Sequence, residues 1–229
     1  MSLFWFPLAE LPFVILTMLI AFTVHEFAHA WTAYKFGDTT AYEQGRVTLN
    51  PMAHIDLFGL LFLLVAGFGW AKPVPVRRSR FKRPRLMNIM VTAAGPVSNL
   101  LMAFIGLFIY FLLIKLHAFD HSDALYETVS TFLIKYFVSI NVTLFLFNLI
   151  PLPPLDGYRI VEEFASMRLR MKLVQYEQWG AFIFLLFIFL PPLRAVTLTP
   201  LFSLGNPIIQ NMAEFCVRVL GIGRTLLVA

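Results

Sequence analysis

The sequence predicts an all-α polytopic membrane protein, on the basis of its composition and its long apolar runs. Hydrophobic residues make up 59% of the 229 residues, charged residues only 14%, and the mean hydropathy is +0.76. A typical soluble domain has about 25% charged residues, so the composition excludes that class. Several runs approach the roughly 20 apolar residues that a transmembrane helix needs. We therefore expect about four to six transmembrane helices, with a re-entrant or short β-strand segment near the polar site described below.

Chain length and charge narrow the organisation further. A chain of 229 residues is long enough for a single membrane-embedded domain over residues 1–229, without an appended soluble module. Within it we place the core at about residues 11–160 and C-terminal helices at about residues 176–229. The net charge of +5 comes largely from clustered bases, so it predicts membrane topology and not nucleic-acid binding. Cys216 is the only cysteine, which excludes an intrachain disulfide.

Three apolar runs are long enough to cross a bilayer as helices, at residues 11–36, 86–116 and 125–150. A fourth run, residues 57–70, would rise only about 21 Å as a helix, against a hydrocarbon core of about 30 Å. We therefore expect this fourth run to re-enter the membrane without crossing it.

Two short segments have strand character. Residues 45–49 are Gly-Arg-Val-Thr-Leu, and the segment at residues 67–76 runs from Gly67-Phe68-Gly69 to Pro73-Val74-Pro75-Val76. Irregular backbone at membrane depth is tolerated where it is buried in protein or lines a wet cavity. The second segment is therefore expected to line a groove that can hold an extended peptide.

The first long run contains the sequence His25-Glu26-Phe27-Ala28-His29. Residues four apart lie on one face of a helix, so His25 and His29 can both bind a single metal ion, with Glu26 beside them. Ionisable groups are costly inside a bilayer, at about 2.5–3.5 kcal/mol each on insertion scales. The spacing therefore predicts a zinc site with one Zn²⁺ per chain, in which Glu26 is the general base.

The distribution of bases predicts the orientation of the chain. Seven bases and no acid lie between residues 72 and 85, and four more bases lie between residues 159 and 172. The loop at residues 117–124 has two Asp and no Lys or Arg. By the positive-inside rule the two basic segments are cytoplasmic, so the metal site opens toward the cytoplasm.

Three polar positions fall at a similar depth under this topology: the His25 to His29 face, Asn99, and the pair Asn148 and Asp156. A zinc ion held by two histidines needs a third protein ligand, and Asp156 is the best-placed carboxylate. An isolated Leu-Asp-Gly is more often a turn or a helix cap, so that alternative stays open for Asp156.

The remaining polar side chains allow two interpretations each. Asn148 is a candidate for substrate binding or for an interhelical hydrogen bond, and Asn99 for either role. His54 and Asp56 form a polar pair near the membrane surface. His54 is a candidate for a gate or for support of the metal site, although a satisfied loop pair is the favoured interpretation.

Taken together, these motifs resemble those of the site-2 proteases, the intramembrane zinc metalloproteases, in a compact form without an inserted PDZ domain. Three motifs carry the resemblance: His25-Glu26-Phe27-Ala28-His29, Gly95-Pro96-Val97-Ser98-Asn99, and the stretch from Asn148 to Asp156-Gly157. The segments at residues 45–51 and 69–76 are also similar to those of the compact bacterial and archaeal branch.

The resemblance implies an intramembrane zinc endopeptidase that cleaves transmembrane segments of membrane proteins. It implies His25, His29 and Asp156 as metal ligands, Glu26 as the catalytic residue, and a substrate that is itself a transmembrane protein in the lipid bilayer, in a prokaryotic plasma membrane. The rival hypothesis is a metal-binding transporter or sensor without hydrolytic activity, since buried polar groups in broken helices suit transporters too. Against it, Glu26 has no obvious task in a site that only binds metal.

Overall fold

A computed structural model describes residues 6–67 and 69–222 of the chain, and residues 1–5, Phe68 and residues 223–229 lie outside this description. The described residues form an all-α structure without a β-sheet. The helices are α1 (Leu11–Lys35), α2 (Thr40–Glu43), α3 (Leu57–Ala66), α4 (Pro84–Lys115), α5 (Asp123–Ser130), α6 (Ser139–Asn148), α7 (Asp156–Phe164), α8 (Met167–Gln175), α9 (Glu177–Phe189), α10 (Pro191–Val196), α11 (Leu198–Ser203) and α12 (Gly205–Leu220). The predicted fold class is confirmed.

Three helical stretches among the described residues are long and apolar enough to cross a membrane: Leu8–Lys35, Pro84–Lys115 and Asp123–Asn148. They coincide with the three long runs that the sequence predicts. The third stretch is continuous because a π-helical segment, Thr131–Val138, joins α5 to α6. The chain is therefore an integral membrane protein.

Two shorter apolar helices, α3 and α9, complete the hydrophobic part of the described structure. They have 10 and 13 residues, or about 15 and 20 Å of helix, which is less than the bilayer core. Proline prevents α9 from continuing, because Pro191 follows its C-cap residue, Leu190, and begins the separate helix α10. The described residues thus contain three helices long enough to cross the bilayer, and α3, within residues 57–70, is too short to do so, as expected of a re-entrant segment.

The segment after α3 folds back on that helix. Gly67 ends α3 in the left-handed region (φ +71°). A Cβ on Gly69 would lie 2.2 Å from the carbonyl oxygen of Gly59, so the return path requires glycine. Ala71 then forms a single antiparallel bridge with Ile55. The expected strand is thus one bridge followed by irregular backbone.

The strand predicted at residues 45–49 is not present; that expectation was wrong. Gly45 has φ +67° and the segment is a turn followed by bends. The physical reason is a tertiary contact: the Arg46 side chain is buried and donates to the carbonyl oxygen of Lys72 at 2.6 Å. A contact across 26 residues in sequence overrides the local preference for a strand.

Helix α4 is the centre of the packing. It contacts α1, α6, α7 and α12. Gly106 allows a close approach to the third span, since a Cβ there would lie 2.8 Å from the ring of Phe137. Small residues at helix contacts are what membrane proteins use in place of a hydrophobic driving force between helices. The result is a bundle in which α1 and α4 are held side by side.

Candidate metal centre

Three side chains from two distant parts of the chain meet between α1 and α7. His25 and His29 come from the second half of α1, and Asp156 is the first residue of α7. Asp156 Oδ2 lies 3.2 Å from His25 Nε2 and 3.4 Å from His29 Nε2, and the two Nε2 atoms are 3.0 Å apart. These residues form a group whose ligand atoms lie within 4.8 Å of one another. The residues predicted as metal ligands are therefore brought together.

The turn that delivers Asp156 depends on Gly157. A Cβ on Gly157 would lie 2.2 Å from the carbonyl oxygen of Leu149. Only glycine lets the start of α7 pass this close to the end of the third span. The chain from Pro151 to Leu155 is non-helical, because its prolines cannot continue the helix. This bend returns the carboxylate to the level of the two histidines.

Hydrogen bonds from behind fix the orientation of both imidazoles. His29 Nδ1 donates to the carbonyl oxygen of Val91 at 2.8 Å, and His25 Nδ1 lies 2.7 Å from Asn99 Oδ1. A carbonyl oxygen only accepts, so His29 carries its proton on Nδ1. The same assignment follows for His25, because Asn99 Nδ2 donates to Asn141. Both Nε2 lone pairs are then directed at Asp156, as in a metal site.

Asn99 belongs to a buried chain of amides that links the three spans. Its Nδ2 donates to Asn141 Oδ1 at 3.0 Å, and Asn141 Nδ2 donates to the carbonyl oxygen of Phe137 at 2.8 Å. Both Asn side chains are fully buried. The sequence reasoning missed Asn141, although an amide inside an apolar run is a signal for such a bond. The substrate-binding role of Asn99 stays a prediction, while its observed partner is a candidate metal ligand.

Gly95 leaves the space that the imidazoles occupy. A Cβ at this position would lie 2.3 Å from His29 Nε2 and 2.7 Å from His25 Cε1. Every other residue type would push the rings away from Asp156. The glycine therefore shapes the site directly, in addition to the helix packing expected from the sequence.

The arrangement fits a zinc ion on chemical grounds. Two bare Nε2 atoms and a carboxylate oxygen are all acceptors, and acceptors about 3 Å apart repel one another unless a cation lies among them. Asp156 Oδ2 is buried and has no hydrogen-bond donor among the described residues. A buried carboxylate needs a charged or donating partner. A His₂Asp set with an open fourth position is typical of catalytic zinc.

Glu26 lies next to the histidines and faces the same cavity. Its Oε2 accepts a hydrogen bond from the backbone N–H of Val74 at 2.9 Å. Val74 lies in the segment that follows α3, which therefore passes directly beside the predicted general base. No sequence pattern predicted the hydrogen bond between Val74 and Glu26.

The cavity beside the candidate ligands has a volume of about 600 Å³. Its apolar lining residues include Phe22, Leu144 and Phe147, and its charged lining residues include Arg78 and Arg159. Such a cavity is large enough for an extended peptide segment.

Asn148 and His54 lie at different distances from this cavity. Asn148 lines it and donates from Nδ2 to the carbonyl oxygen of Leu144 in its own helix at 3.0 Å. His54 is fully buried, donates from Nε2 to the carbonyl oxygen of Thr48 at 2.8 Å, and is not among the described cavity-lining residues. Burial lowers the pKa of His54, so its imidazole is neutral. Substrate binding by Asn148 and a gate role for His54 stay predictions.

Comparisons with known proteins agree with this geometry. The sequence model of Peptidase family M50 matches residues 113–191, which contain Asp156. YwhC of Bacillus subtilis (strain 168), named as a zinc metalloprotease, is 48% identical over 211 residues, or 91% of this chain and 94% of YwhC. Rip2 of Mycolicibacterium smegmatis, also named as a zinc metalloprotease, is 32% identical over 187 residues, or 79% of this chain and 68% of Rip2.

Rip2 of Mycobacterium tuberculosis (strain H37Rv) is 31% identical over 185 residues, or 78% of this chain and 67% of that protein. No solved structure matches the chain. The similarity to YwhC extends over nearly the whole of both chains, and so well beyond the residues that the M50 model matches. The chain therefore belongs to Peptidase family M50, the site-2 protease family, and is a zinc metalloprotease.

Proposed function

We propose that this protein is an intramembrane endopeptidase that cleaves transmembrane segments of other membrane proteins, as in regulated intramembrane proteolysis. One observation carries the proposal. The candidate ligands and Glu26 line one cavity, and the two histidines and Glu26 lie within a helix that is long and apolar enough to span the bilayer. His25 lies ten residues before Lys35, the end of α1, or about 15 Å along the helix axis. A peptide bond at this depth belongs to a membrane-embedded substrate.

His25, His29 and Asp156 would hold one Zn²⁺ per chain. Bound zinc supplies Lewis acidity, which activates a water molecule and polarises a carbonyl group. Glu26 accepts the proton of the attacking water and transfers it to the leaving amine. Asn99 and the Val91 carbonyl oxygen keep the imidazoles in the tautomer that this arrangement needs.

A helical substrate must unwind before cleavage, because the carbonyl groups of a helix are hydrogen-bonded along its axis. The segment from Pro73 to Val76 supports such a step. Its four carbonyl oxygens have no hydrogen-bond donor within the described part of the chain, and Pro73, Val74 and Val76 line the cavity. Pairing of an unwound substrate strand with these groups would satisfy both backbones, as in strand addition. Asn148, which also lines the cavity, is a candidate for a further contact.

The orientation proposed from the sequence places the active site toward the cytoplasm of a bacterial plasma membrane. Ser79 and Ser122 are both exposed and lie at opposite ends of α4. In a Cys216→Ser background, an impermeant thiol reagent applied to sealed cells should label a cysteine at position 122 and leave one at position 79 unlabelled. The reverse pattern would overturn the orientation.

Purified protein and a single-span peptide provide the test of the proposed activity. Cleavage should occur within the apolar span of the peptide, stop on addition of a chelator, and return on addition of zinc. Absence of cleavage combined with tight zinc binding would favour the transporter or sensor hypothesis. Cleavage confined to soluble peptides would contradict an intramembrane substrate.

A further inference from the structure

The segment from Ala71 to Arg77 is held from one side by three separate parts of the protein. We propose that the backbone N–H of Val74 positions the Glu26 carboxylate, and that Arg46, His54 and Asp38 hold the segment so that this N–H stays in place. The inference rests on the proposed function, because it assigns support for the general base of that reaction.

The contact with Glu26 is direct. Val74 N–H donates to Glu26 Oε2 at 2.9 Å, and the carboxylate is mostly buried. A glutamate side chain has three rotatable bonds and loses conformational freedom when it is fixed in one orientation. A charge-assisted hydrogen bond from a backbone N–H is strong and directional, so it holds one oxygen and leaves the other for the reacting water.

Lys72 anchors the segment just before Val74. Its backbone N–H donates to the carbonyl oxygen of His54 at 2.8 Å, and its carbonyl oxygen accepts from Arg46 Nη2 at 2.6 Å. Arg46 is only 5% exposed, and a buried guanidinium is costly unless its donors are used. Its use on a backbone carbonyl fixes the position of the chain two residues from the N–H that contacts Glu26. The His54 carbonyl oxygen and the Arg46 side chain thus help to hold the segment that contacts Glu26.

Asp38 anchors the other end of the segment. Its Oδ2 accepts from the backbone N–H of Arg77 at 2.5 Å, and its Oδ1 accepts from the backbone N–H and the hydroxyl of Thr40. Asp38 is fully buried and lies just after α1, the helix that carries Glu26. The base and the far end of the segment are thus tied to the same helix.

The sequence of the segment restricts its motion further. Pro73 and Pro75 fix their own φ angles, and each disfavours helical backbone at the residue before it, here Lys72 and Val74. Val74 therefore provides a backbone N–H between Pro73 and Pro75, which have none. The geometry makes this N–H the donor from the segment that reaches Glu26.

The test compares variants that keep or remove this single donor. Val74→Pro removes the N–H, whereas Val74→Ala keeps it and shortens the side chain. Val76→Pro is the matched proline control, because the Val76 N–H has no partner in the described part of the chain. All are measured for bound zinc and for kcat and KM on a single-span peptide that the wild-type protein cleaves at one mapped bond.

We expect Val74→Pro to keep its zinc and to have a kcat about 10- to 100-fold below that of Val74→Ala, since small displacements of catalytic groups cost about this much. KM should change less than kcat, because the base acts in the reaction and not in substrate binding. Val76→Pro alters the proposed substrate-pairing segment but keeps the contact to Glu26, so it should act mainly on KM and lower kcat much less than Val74→Pro does. Equal kcat values for Val74→Pro and Val74→Ala would overturn the inference, as would equal losses in the two proline variants or loss of zinc.

A second pair of variants leaves the segment itself unchanged. Arg46→Met should lower kcat with zinc retained, and Arg46→Lys, which still offers a donor to the Lys72 carbonyl oxygen, should recover part of the loss. This pair decides the question if Val74→Pro does not fold, and an Arg46→Met kcat equal to the wild-type value would contradict the role of Arg46. If the wild-type protein cleaves no single-span peptide, the proposed function fails, and this inference fails with it.

Discussion

The two candidate metal-binding histidines, His25 and His29, and the proposed general base, Glu26, are neighbours in sequence, but they are supported by different parts of the protein. His25 and His29 are held by Asn99 and the Val91 carbonyl oxygen, which belong to α4, a long central helix. Glu26 is held by the N–H of Val74, in a non-helical segment tied down by loop residues. Metal binding is therefore built into the packed spans, whereas the position of the base depends on the segment next to the proposed substrate strand.

This difference predicts that mutations can separate metal binding from the positioning of Glu26. Changes in the helices around the histidines should lower zinc content and activity together. Changes in the segment or its anchors should lower activity while zinc remains. The following variants test the helical side of this contrast, from the largest expected effect to the smallest.

Asp156→Ala should abolish both zinc binding and cleavage. The change removes the only carboxylate in the candidate metal group and leaves two histidines, which are too few for a catalytic zinc site. Metal analysis of the purified protein and a cleavage assay provide the measurement. Stoichiometric zinc in this variant would mean that the third ligand lies elsewhere.

Gly95→Ala should weaken zinc binding by roughly 10- to 100-fold, the range seen when the surroundings of metal ligands are altered. The added Cβ would lie 2.3 Å from His29 Nε2, so the ring must move. Gly106→Ala in the same helix is the control, since it contacts the Phe137 ring and not the histidines. Gly106→Ala should lower thermal stability and keep its zinc. Equal zinc affinity in both variants would remove Gly95 from the site.

Asn99→Ala should lower zinc affinity by a similar or smaller factor, because His25 loses the acceptor that fixes its tautomer. Asn148→Ala, at another residue that lines the cavity, should spare zinc and reduce turnover through substrate positioning. Titration with a competing chelator measures the first effect, and steady-state kinetics measures the second. Loss of zinc from Asn148→Ala alone would reverse the two assignments.

Glu163→Gln should have the smallest effect on the metal. Glu163 is buried and accepts from Arg78, Arg170 and Asn88 at one end of the cavity. Breaking a buried ion pair costs about 3–5 kcal/mol, and the partial exposure of Arg78 reduces that figure here. A lower thermal midpoint with unchanged zinc affinity is the expected result, and reduced zinc affinity would extend the metal support to this cluster.

The sequence predicted the parts of the site that depend on local periodicity. His25 and His29 were found because helical spacing of four is a local rule, and Asp156 because a carboxylate followed by glycine lies at the depth of the histidines. The contacts of Val74, Arg46 and Asp38 were not found. They join residues 26 to 48 positions apart in sequence, and no local pattern sets such distances.

The same reason explains the errors in local structure. Residues 45–49 have strand-like composition, but the buried Arg46 side chain determines their path. Asn99 was predicted as a substrate contact or a helix-packing residue, and only the fold shows that its carbonyl oxygen meets His25. The spans follow from composition, whereas the support of the site follows from packing.

The most direct test of the central claim is Glu26→Gln, measured for zinc content and for cleavage of a single-span peptide in the same preparation. The amide cannot accept a proton from water, while His25, His29 and Asp156 are untouched. We expect full zinc content with activity reduced by about 10²- to 10⁴-fold, the usual contribution of a general base. Full activity would remove Glu26 from the mechanism, and loss of zinc would make it a metal ligand.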